Sequence, residues 1–192
     1  MLKAIGTIVV CWWAADFLTG FFHWLEDTYC LENMPLIGGF ICEPNIDHHI
    51  DPQLMVRVGN FFSRNYFQWL LSGTLFLLAW LIGFGNIYTF LTLLFASMGN
   101  EVHRWNHIAR PGPLVAFIKE TGLIQAHRQH SMHHKPPHDS YYCVLSSQLN
   151  PVLERISFWR GLEKVVEILT GIKPKRDDRR DAKPVKKQKN AA

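Results

Sequence analysis

Ten histidines are distributed in four groups along this 192-residue chain. One stretch, AHRQHSMHHKPPH, runs from position 126 to position 138 and contains five of them. The other three groups lie near the ends of apolar segments. The ten positions are His23, His48, His49, His103, His107, His127, His130, His133, His134 and His138. Imidazole is a common ligand for transition metals, so this distribution predicts a metal site assembled from separate parts of the chain.

The spacing within the groups is typical of helices that present ligands on one face. His103 and His107 are four residues apart, and so are His130 and His134. Residues at that spacing lie on the same side of an α-helix. The two prolines that follow the last group predict that its helix ends by Lys135.

The number of imidazoles predicts which metal the site holds. Zinc sites normally take three or four protein ligands, and eight or more imidazoles exceed that number. The zinc-protease motif H-E-x-x-H is absent, since HRWNH has Arg104 at the glutamate position. Eight ligands could serve two metals with positions left open for O₂ or water. We therefore favour a histidine-rich di-iron centre at a membrane surface, at which zinc could replace iron.

Carboxylates adjoin the histidine groups. On the first apolar helix Asp16, His23 and Asp27 fall on one polar stripe, and an ionisable residue inside such a segment usually faces the protein interior. Metal-bound imidazoles often donate their second N–H group to a carboxylate, and we expect this role for Asp16 and Asp27. Four other acids adjoin histidines and could act likewise or be solvated surface groups: Asp47, Asp51, Glu101 and Asp139.

Three apolar segments predict an all-α integral membrane protein. Residues 65–100 contain no Asp, Glu, Lys or Arg, and as one helix they would span about 54 Å, too long for one bilayer core. Turn-forming residues at 83–86 divide them into predicted spans at 67–84 and 87–100. Residues 4–25 form a third span, which is too long for a signal peptide and lacks a cleavage pattern. The alternative, a buried hairpin in a soluble core, needs more burial than this length easily provides.

Charge predicts the orientation and the domain limits. Of the 20 Lys and Arg residues, 17 follow residue 100. Because segments on the cytoplasmic side of a membrane are enriched in Lys and Arg, we expect the histidine groups on the cytoplasmic face. The membrane would be the endoplasmic reticulum in a eukaryote or the inner membrane in a bacterium. We expect a membrane domain at 1–172 and a basic disordered tail at 173–192. No aromatic residue interleaves with the tail charges, which disfavours nucleic-acid binding.

Apolar residues between 152 and 169 predict an amphipathic helix that lies on the membrane or caps the metal site.

The four cysteines are scattered. They occupy positions 11, 30, 42 and 143, and no C-x-x-C pair occurs. Neither a zinc ribbon nor a dithiol redox motif is therefore present, and we expect reduced structural thiols.

Several motifs in order resemble the Kua, or plasmanylethanolamine desaturase, family of lipid desaturases. They are DFLTGFFHWLED, the pair HH, NEVHRWNH, HSMHHKPPHDSYYC and LNPVLERISFWRGLE, and together they cover about residues 16–172. The resemblance implies an iron ligand set of eight: His23, His48, His49, His103, His107, His130, His133 and His134. It leaves His127 and His138 as additional ligands or as groups that orient a ligand.

The resemblance also implies the reaction. Members are integral membrane desaturases that use iron and O₂, and the best described convert a plasmanyl ether lipid to the vinyl-ether plasmalogen. A plant branch instead introduces a trans double bond into a phospholipid-bound acyl chain. An electron donor such as cytochrome b5 or a ferredoxin is implied as partner, beside the membrane lipid substrate. Two alternatives from the residues themselves are a lipid hydroxylase and, in a different class, a membrane metal transporter.

Overall fold

The computed structural model describes residues 2–175, which form ten α-helices and a short π-helix and contain no β-strand. The predicted all-α class is therefore confirmed for this part of the chain. The elements are α1 (Leu2–Tyr29), the π-helix (Gly38–Cys42), α2 (Glu43–Ile50), α3 (Leu54–Arg57), α4 (Phe61–Leu81), α5 (Ile87–Ala96), α6 (Gly99–His107), α7 (Pro113–Glu120), α8 (His127–His133), α9 (Leu149–Arg155) and α10 (Phe158–Thr170).

Helices α4 and α5 form the predicted hairpin and pack with α1. Asn60 begins α4 with a capping box, in which its side chain accepts from the Ser63 amide and the Ser63 hydroxyl accepts from the Asn60 amide. Asn86 caps α5, because its side-chain oxygen accepts from the backbone amides of Tyr88 and Thr89. Gly83, in the left-handed region at φ 83°, lies in the connection between them, as the turn chemistry predicted.

The prediction of three membrane spans is not confirmed. Within residues 2–175 one helix, Leu2–Tyr29, is long and apolar enough to cross a membrane, a criterion that buried core helices and signal sequences can also meet. Helix α5 has only ten residues, about 15 Å, which is half of a bilayer core. The span predicted at 87–100 is interrupted after Ala96, where the Ser97 hydroxyl donates to the Leu94 carbonyl before α6 begins.

Two glycines, Gly20 and Gly99, allow the close approach of chain segments beside the histidines. A Cβ on Gly20 would lie 2.6 Å from the Cys143 sulfur, so α1 meets the segment around Cys143 without space for a side chain. A Cβ on Gly99 would lie 2.8 Å from Nε2 of Gln68. The Gln68 amide instead bridges α4 to the start of α6. Glycine therefore fixes the distance at which α1, α4 and α6 surround the site.

The amphipathic segment predicted at 152–169 is two helices rather than one. Ser157 has a left-handed backbone, φ 53°, and separates α9 from α10. Trp159 is buried against Trp24 of α1 and against Tyr142, so α10 caps the fold. Its outer stripe of Val165, Ile168 and Leu169 is exposed, and so is Ile172 just after the helix. The capping interpretation is thus borne out for one face of the helix.

The expectation of reduced thiols is wrong for two of the four cysteines. Cys30 and Cys42 form a disulfide whose Cα atoms are 5.4 Å apart. Cys30 follows α1 and Cys42 ends the π-helix, so the intervening loop brings together two residues that no sequence motif pairs. Cys11 and Cys143 are free and buried, as expected.

Only the beginning of the predicted basic tail can be assessed. Lys175 donates from its backbone amide to the Thr28 carbonyl and from Nζ to the Cys30 carbonyl, which attaches this residue to the end of α1. The rest of the tail, residues 176–192, lies outside the described residues.

Candidate metal centre

Seven of the eight predicted histidines meet in two compact groups. One group is His48, His103, His107 and His134, contributed by α2, α6 and the end of α8. The other is His23, Asp27, His49 and His133, contributed by α1, α2 and α8. Within each group the four ligand atoms lie within 4.8 Å of one another. We call these the four-imidazole group and the carboxylate group.

Backbone carbonyls determine which ring nitrogen faces each group. Nδ1 of His23 lies 3.1 Å from the Tyr142 carbonyl oxygen, and Nδ1 of His133 lies 2.8 Å from that of Ser140. Nδ1 of His48 is similarly 2.9 Å from the Asn45 oxygen. A carbonyl oxygen only accepts, so each Nδ1 carries the proton and each Nε2 keeps a lone pair for a metal.

Electron-rich atoms converge in the carboxylate group. Nε2 of His23 and Nε2 of His133 are 3.1 Å apart, although both are bare in the tautomers set by their carbonyl partners. Asp27 Oδ2 lies 3.5 Å from the first and 3.4 Å from the second, while Asp27 Oδ1 lies 3.2 Å from Nε2 of His49. Ligands at about 2.1 Å from a metal and about 90° to 110° apart would be separated by about 3.0 to 3.4 Å, so the spacing fits one cation.

The remaining histidines differ in how they relate to these groups. His130 Nε2 lies 2.8 Å from Nε2 of His107, so it adjoins the four-imidazole group without belonging to it. His138 is buried with its ring 4.5 Å from the ring of His49, beside the carboxylate group. His127 directs Nδ1 to the Asn106 carbonyl and is part of neither group.

The carboxylates predicted to support the histidines divide sharply. Asp27 lies among the ligand atoms themselves, rather than behind a ligand as expected. Asp16 is fully buried and accepts from the Leu145 amide and the Ser146 hydroxyl, so its carboxylate holds a loop. Three of the other four acids pair with cations: Asp51 with Arg57, Glu101 with Arg64 and Arg104, and Asp139 with Arg160. The fourth, Asp47, is part of the cavity wall.

The chemistry of the buried imidazoles fits a metal. Burial lowers the pKa of His48, His49, His103, His130 and His133, and neighbouring imidazoles lower it further. Burial also lowers the pKa of His107 to about 4 and that of His134 to about 3. These rings are therefore neutral at pH 7, the form that binds metal.

Unpaired nitrogen atoms support the same conclusion. Nε2 of His48, His49, His103 and His134 is buried and has no hydrogen-bond partner among the described residues. Leaving one such atom unsatisfied costs about 1–3 kcal/mol, which a coordinated cation would offset. Imidazole and carboxylate ligands together suit iron as well as zinc.

In the segment 139–146 the sequence identified only Asp139 as a candidate site residue, and it gave no role to the backbone of the segment. Its carbonyls at Ser140 and Tyr142 orient two imidazoles of the carboxylate group. Side chains hold the segment in place, since Glu154 accepts from the Tyr141 amide and Asn150 accepts from the Cys143 amide. Backbone carbonyls have no residue-type signature, so only the clustering of polar residues just after the histidine stretch could have indicated this role.

A half-open cavity of about 1310 Å³ reaches both groups. Its wall includes His23 from the carboxylate group and His48 and His103 from the four-imidazole group. The apolar part of the wall includes Leu18, Phe22, Phe67, Leu71, Leu75 and Leu93. The cavity exceeds the range of about 300–1,000 Å³ that is usual for drug-sized ligands, which suits a long apolar molecule.

Comparisons with known proteins agree with this arrangement. Plasmanylethanolamine desaturase 1 of Mus musculus is 32% identical over 90% of this chain and 68% of its own length. Plasmanylethanolamine desaturase of Myxococcus xanthus is 30% identical over 91% of this chain and 64% of its own length. A probable fatty acid desaturase of Acanthamoeba polyphaga mimivirus is 34% identical over 88% of this chain and 84% of its own length. No solved structure matches the chain.

The family assignment rests on nearly the whole described chain. The lipid desaturase domain profile matches residues 12–177, which include both histidine groups and the wall of the cavity. The chain therefore belongs to the lipid desaturase family.

Proposed function

We propose that this chain is an O₂-dependent membrane lipid desaturase with a di-iron centre, which forms the vinyl-ether bond of a plasmalogen from a plasmanyl ether lipid. The observation that supports this most strongly is the pair of four-residue ligand groups beside a large apolar cavity. Two relatives that match about nine tenths of the chain are named for that reaction.

The overall reaction removes two hydrogens from adjacent carbons. One molecule of O₂, two electrons and two protons from outside, and the two hydrogens of the lipid give the alkene and two molecules of water. Bound iron supplies the oxidising power that side chains lack. The chain's part is to hold neutral imidazoles in fixed tautomers, to exclude water around them and to align the lipid along the cavity.

The shape of the cavity favours oxidation close to the lipid head group. The side-chain Nδ2 of Asn100, on α6, donates to the Arg64 carbonyl of α4, and His103 follows one turn later on α6. Leu75 lies eleven residues further along α4 than Arg64, about 16 Å away. The imidazoles thus line the polar end of the cavity, where the first carbons of a lipid chain would lie.

We further propose three membrane spans, at residues 4–25, 67–84 and 87–100, with the ligand groups on the cytoplasmic face. These spans overlap α1, α4, and α5 with the first residues of α6. Apolar side chains are exposed along α1, α4 and α5, including Ile8, Leu77 and Phe90, as expected for contact with lipid. A cytochrome b5 or ferredoxin would deliver electrons at that face.

A second candidate reaction is desaturation of an ester-linked acyl chain. It is favoured by the viral relative above and by Fatty acid desaturase 4 of Arabidopsis thaliana, which is 30% identical over 84% of this chain and 51% of its own length. Hydroxylation at the same carbons would need the same residues. Transport of metal ions is disfavoured, because the family is one of desaturases.

Lipid analysis in a host that lacks plasmalogens tests the proposal. Cells fed an alkyl-glycerol precursor and expressing this chain should accumulate acid-labile vinyl-ether phospholipids. The His133→Ala variant should lose the product, whereas His127→Ala removes an imidazole outside both groups and serves as the matched control. New double bonds in ester lipids without vinyl ethers would support the second candidate, and unchanged lipids with an iron-loaded protein would refute both.

A further inference from the structure

Arg64 lies at the polar end of the cavity, one turn into α4, and its side chain is 16% exposed. Its Nη1 donates to the Gly59 carbonyl, and its Nη2 lies 3.6 Å from Glu101 Oε2. These contacts hold the guanidinium in one place against the cavity wall. They leave its Nε buried without an acceptor among the described residues.

The charges around Arg64 do not balance. Glu101 is buried and accepts from Arg104 at 2.8 Å and from the Trp105 indole at 3.0 Å, in addition to facing Arg64. Two guanidinium groups therefore share one carboxylate. Of the two guanidinium groups, only that of Arg64 lines the cavity. The wall also contains Arg57, which pairs with Asp51, and three acids on α1 and α2: Glu26, Glu43 and Asp47. Arg64 therefore shares its carboxylate with a second guanidinium, whereas Arg57 has a carboxylate of its own.

Position and charge together favour an anionic ligand at this end. A fixed guanidinium that shares its carboxylate with another is suited to phosphate oxygens, which accept charge-assisted hydrogen bonds. The opposite end of the same cavity is apolar, at Leu71 and Leu75. A molecule that fills both ends would carry a phosphate at one end and hydrocarbon at the other.

We propose that Arg64 binds the phosphodiester of the lipid substrate and so sets which carbons of its chain lie beside the imidazoles. This inference rests on the proposed function, since it takes the occupant of the cavity to be a membrane phospholipid. Arg64 is on this view a substrate-binding residue that acts through the position of the chain and not on the reacting carbons.

The test compares two ligands that share a chain but differ in the phosphate. Full-length purified protein in maltoside micelles is titrated with 1-O-hexadecyl-glycero-3-phosphoethanolamine and with 1-O-hexadecylglycerol, and binding is followed by tryptophan fluorescence. The chain should prefer the phosphate-bearing ligand. Arg64→Gln should reduce that preference by about ten- to hundred-fold, because it removes hydrogen bonds to a charged group.

Matched variants separate phosphate binding from a change in the Glu101 pair. Arg104→Gln removes the other guanidinium that shares Glu101 and should leave the preference intact. Arg64→Lys keeps the charge without the planar fork and should retain an intermediate preference. If Arg64→Gln binds the phosphate-free ligand with the same affinity as the wild type, the cavity is still formed in the variant.

Three results would overturn the proposal. The first is an unaltered preference for the phosphate-bearing ligand in Arg64→Gln. The second is an equal loss of that preference in Arg104→Gln. The third is an affinity for the phosphate-bearing lipid that a saturating concentration of inorganic phosphate leaves unchanged. The assay requires neither iron nor turnover. An Arg64-dependent preference in a chain that forms no desaturated lipid would therefore contradict the proposed function alone, and desaturation that is indifferent to Arg64 would contradict this inference alone.

Discussion

Replacing Asp27 by asparagine should have opposite effects on the metal-free and the metal-loaded protein. The Asp27 side chain is 3% exposed, and its carboxylate lies among three Nε2 atoms at 3.2, 3.4 and 3.5 Å. Asn45 Nδ2 donates to Oδ1 at 2.7 Å. Asp27→Asn keeps an oxygen for this contact and places an N–H donor where Oδ2 faces the bare nitrogens of His23 and His133.

The magnitudes follow from these contacts. Without metal, the new donor can bond to one imidazole nitrogen, so the free energy of unfolding should stay constant or rise by up to about 1.5 kcal/mol. With metal, the carboxylate group loses its only anionic ligand. A loss of about 10- to 100-fold in affinity, or about 1.4 to 2.7 kcal/mol at saturation, is typical when a group that only hydrogen-bonds to a ligand is altered. Because Asp27 lies among the ligand atoms themselves, its replacement should cost at least that much.

The assay is a pair of unfolding titrations combined with metal analysis. Purified wild type and Asp27→Asn are compared after chelation and after reloading with iron, and bound metal is counted in both. The wild type should hold about two ions per chain, and the variant should fall towards one. Equal destabilisation of both forms would refute the reasoning, because it would mean that Asp27 supports the fold and not a cation.

Three further predictions concern the residues that hold the site. Gly20→Val should destabilise the protein by about 1–3 kcal/mol in a denaturant titration, because the new side chain would overlap the Cys143 sulfur. Asp16→Asn should cost a similar amount, about 1–3 kcal/mol, since one of two buried donors loses a charged acceptor. Cys30 and Cys42 should react with an alkylating reagent only after reduction, as read by mass spectrometry of the unfolded chain; labelling before reduction would contradict the disulfide.

The sequence could predict the groups of histidines but not their partition. Helical spacing relates His103 to His107 and His130 to His134, and the structure keeps each pair close, with ring centres 5.2 and 4.6 Å apart. Spacing cannot tell that His130 adjoins a group while His134 belongs to it. That difference depends on how α8 is rotated against α6, which is a property of the packing.

The two acids of α1, Asp16 and Asp27, also show that helical spacing does not reveal which segments pack against a residue. Asp16 and Asp27 lie on one helical stripe and are both buried, so the pattern assigns them one role. In the fold, the segment around Ser146 packs on the turn of Asp16, whereas α2 and α8 surround the turn of Asp27. A long-range contact therefore decides which carboxylate holds a loop and which lies among the imidazoles.

The two groups differ in charge, and the cavity wall contains residues of both. The four-imidazole group is neutral, while the carboxylate group brings one negative charge through Asp27. Two ions held there would be chemically unequal even if both were iron, because an anionic oxygen ligand lowers the positive charge of one of them. The cavity wall contains His23 of the charged group and His48 of the neutral group. A lipid chain in the cavity would thus pass beside both ions, close to the end of the cavity where Arg64 lies.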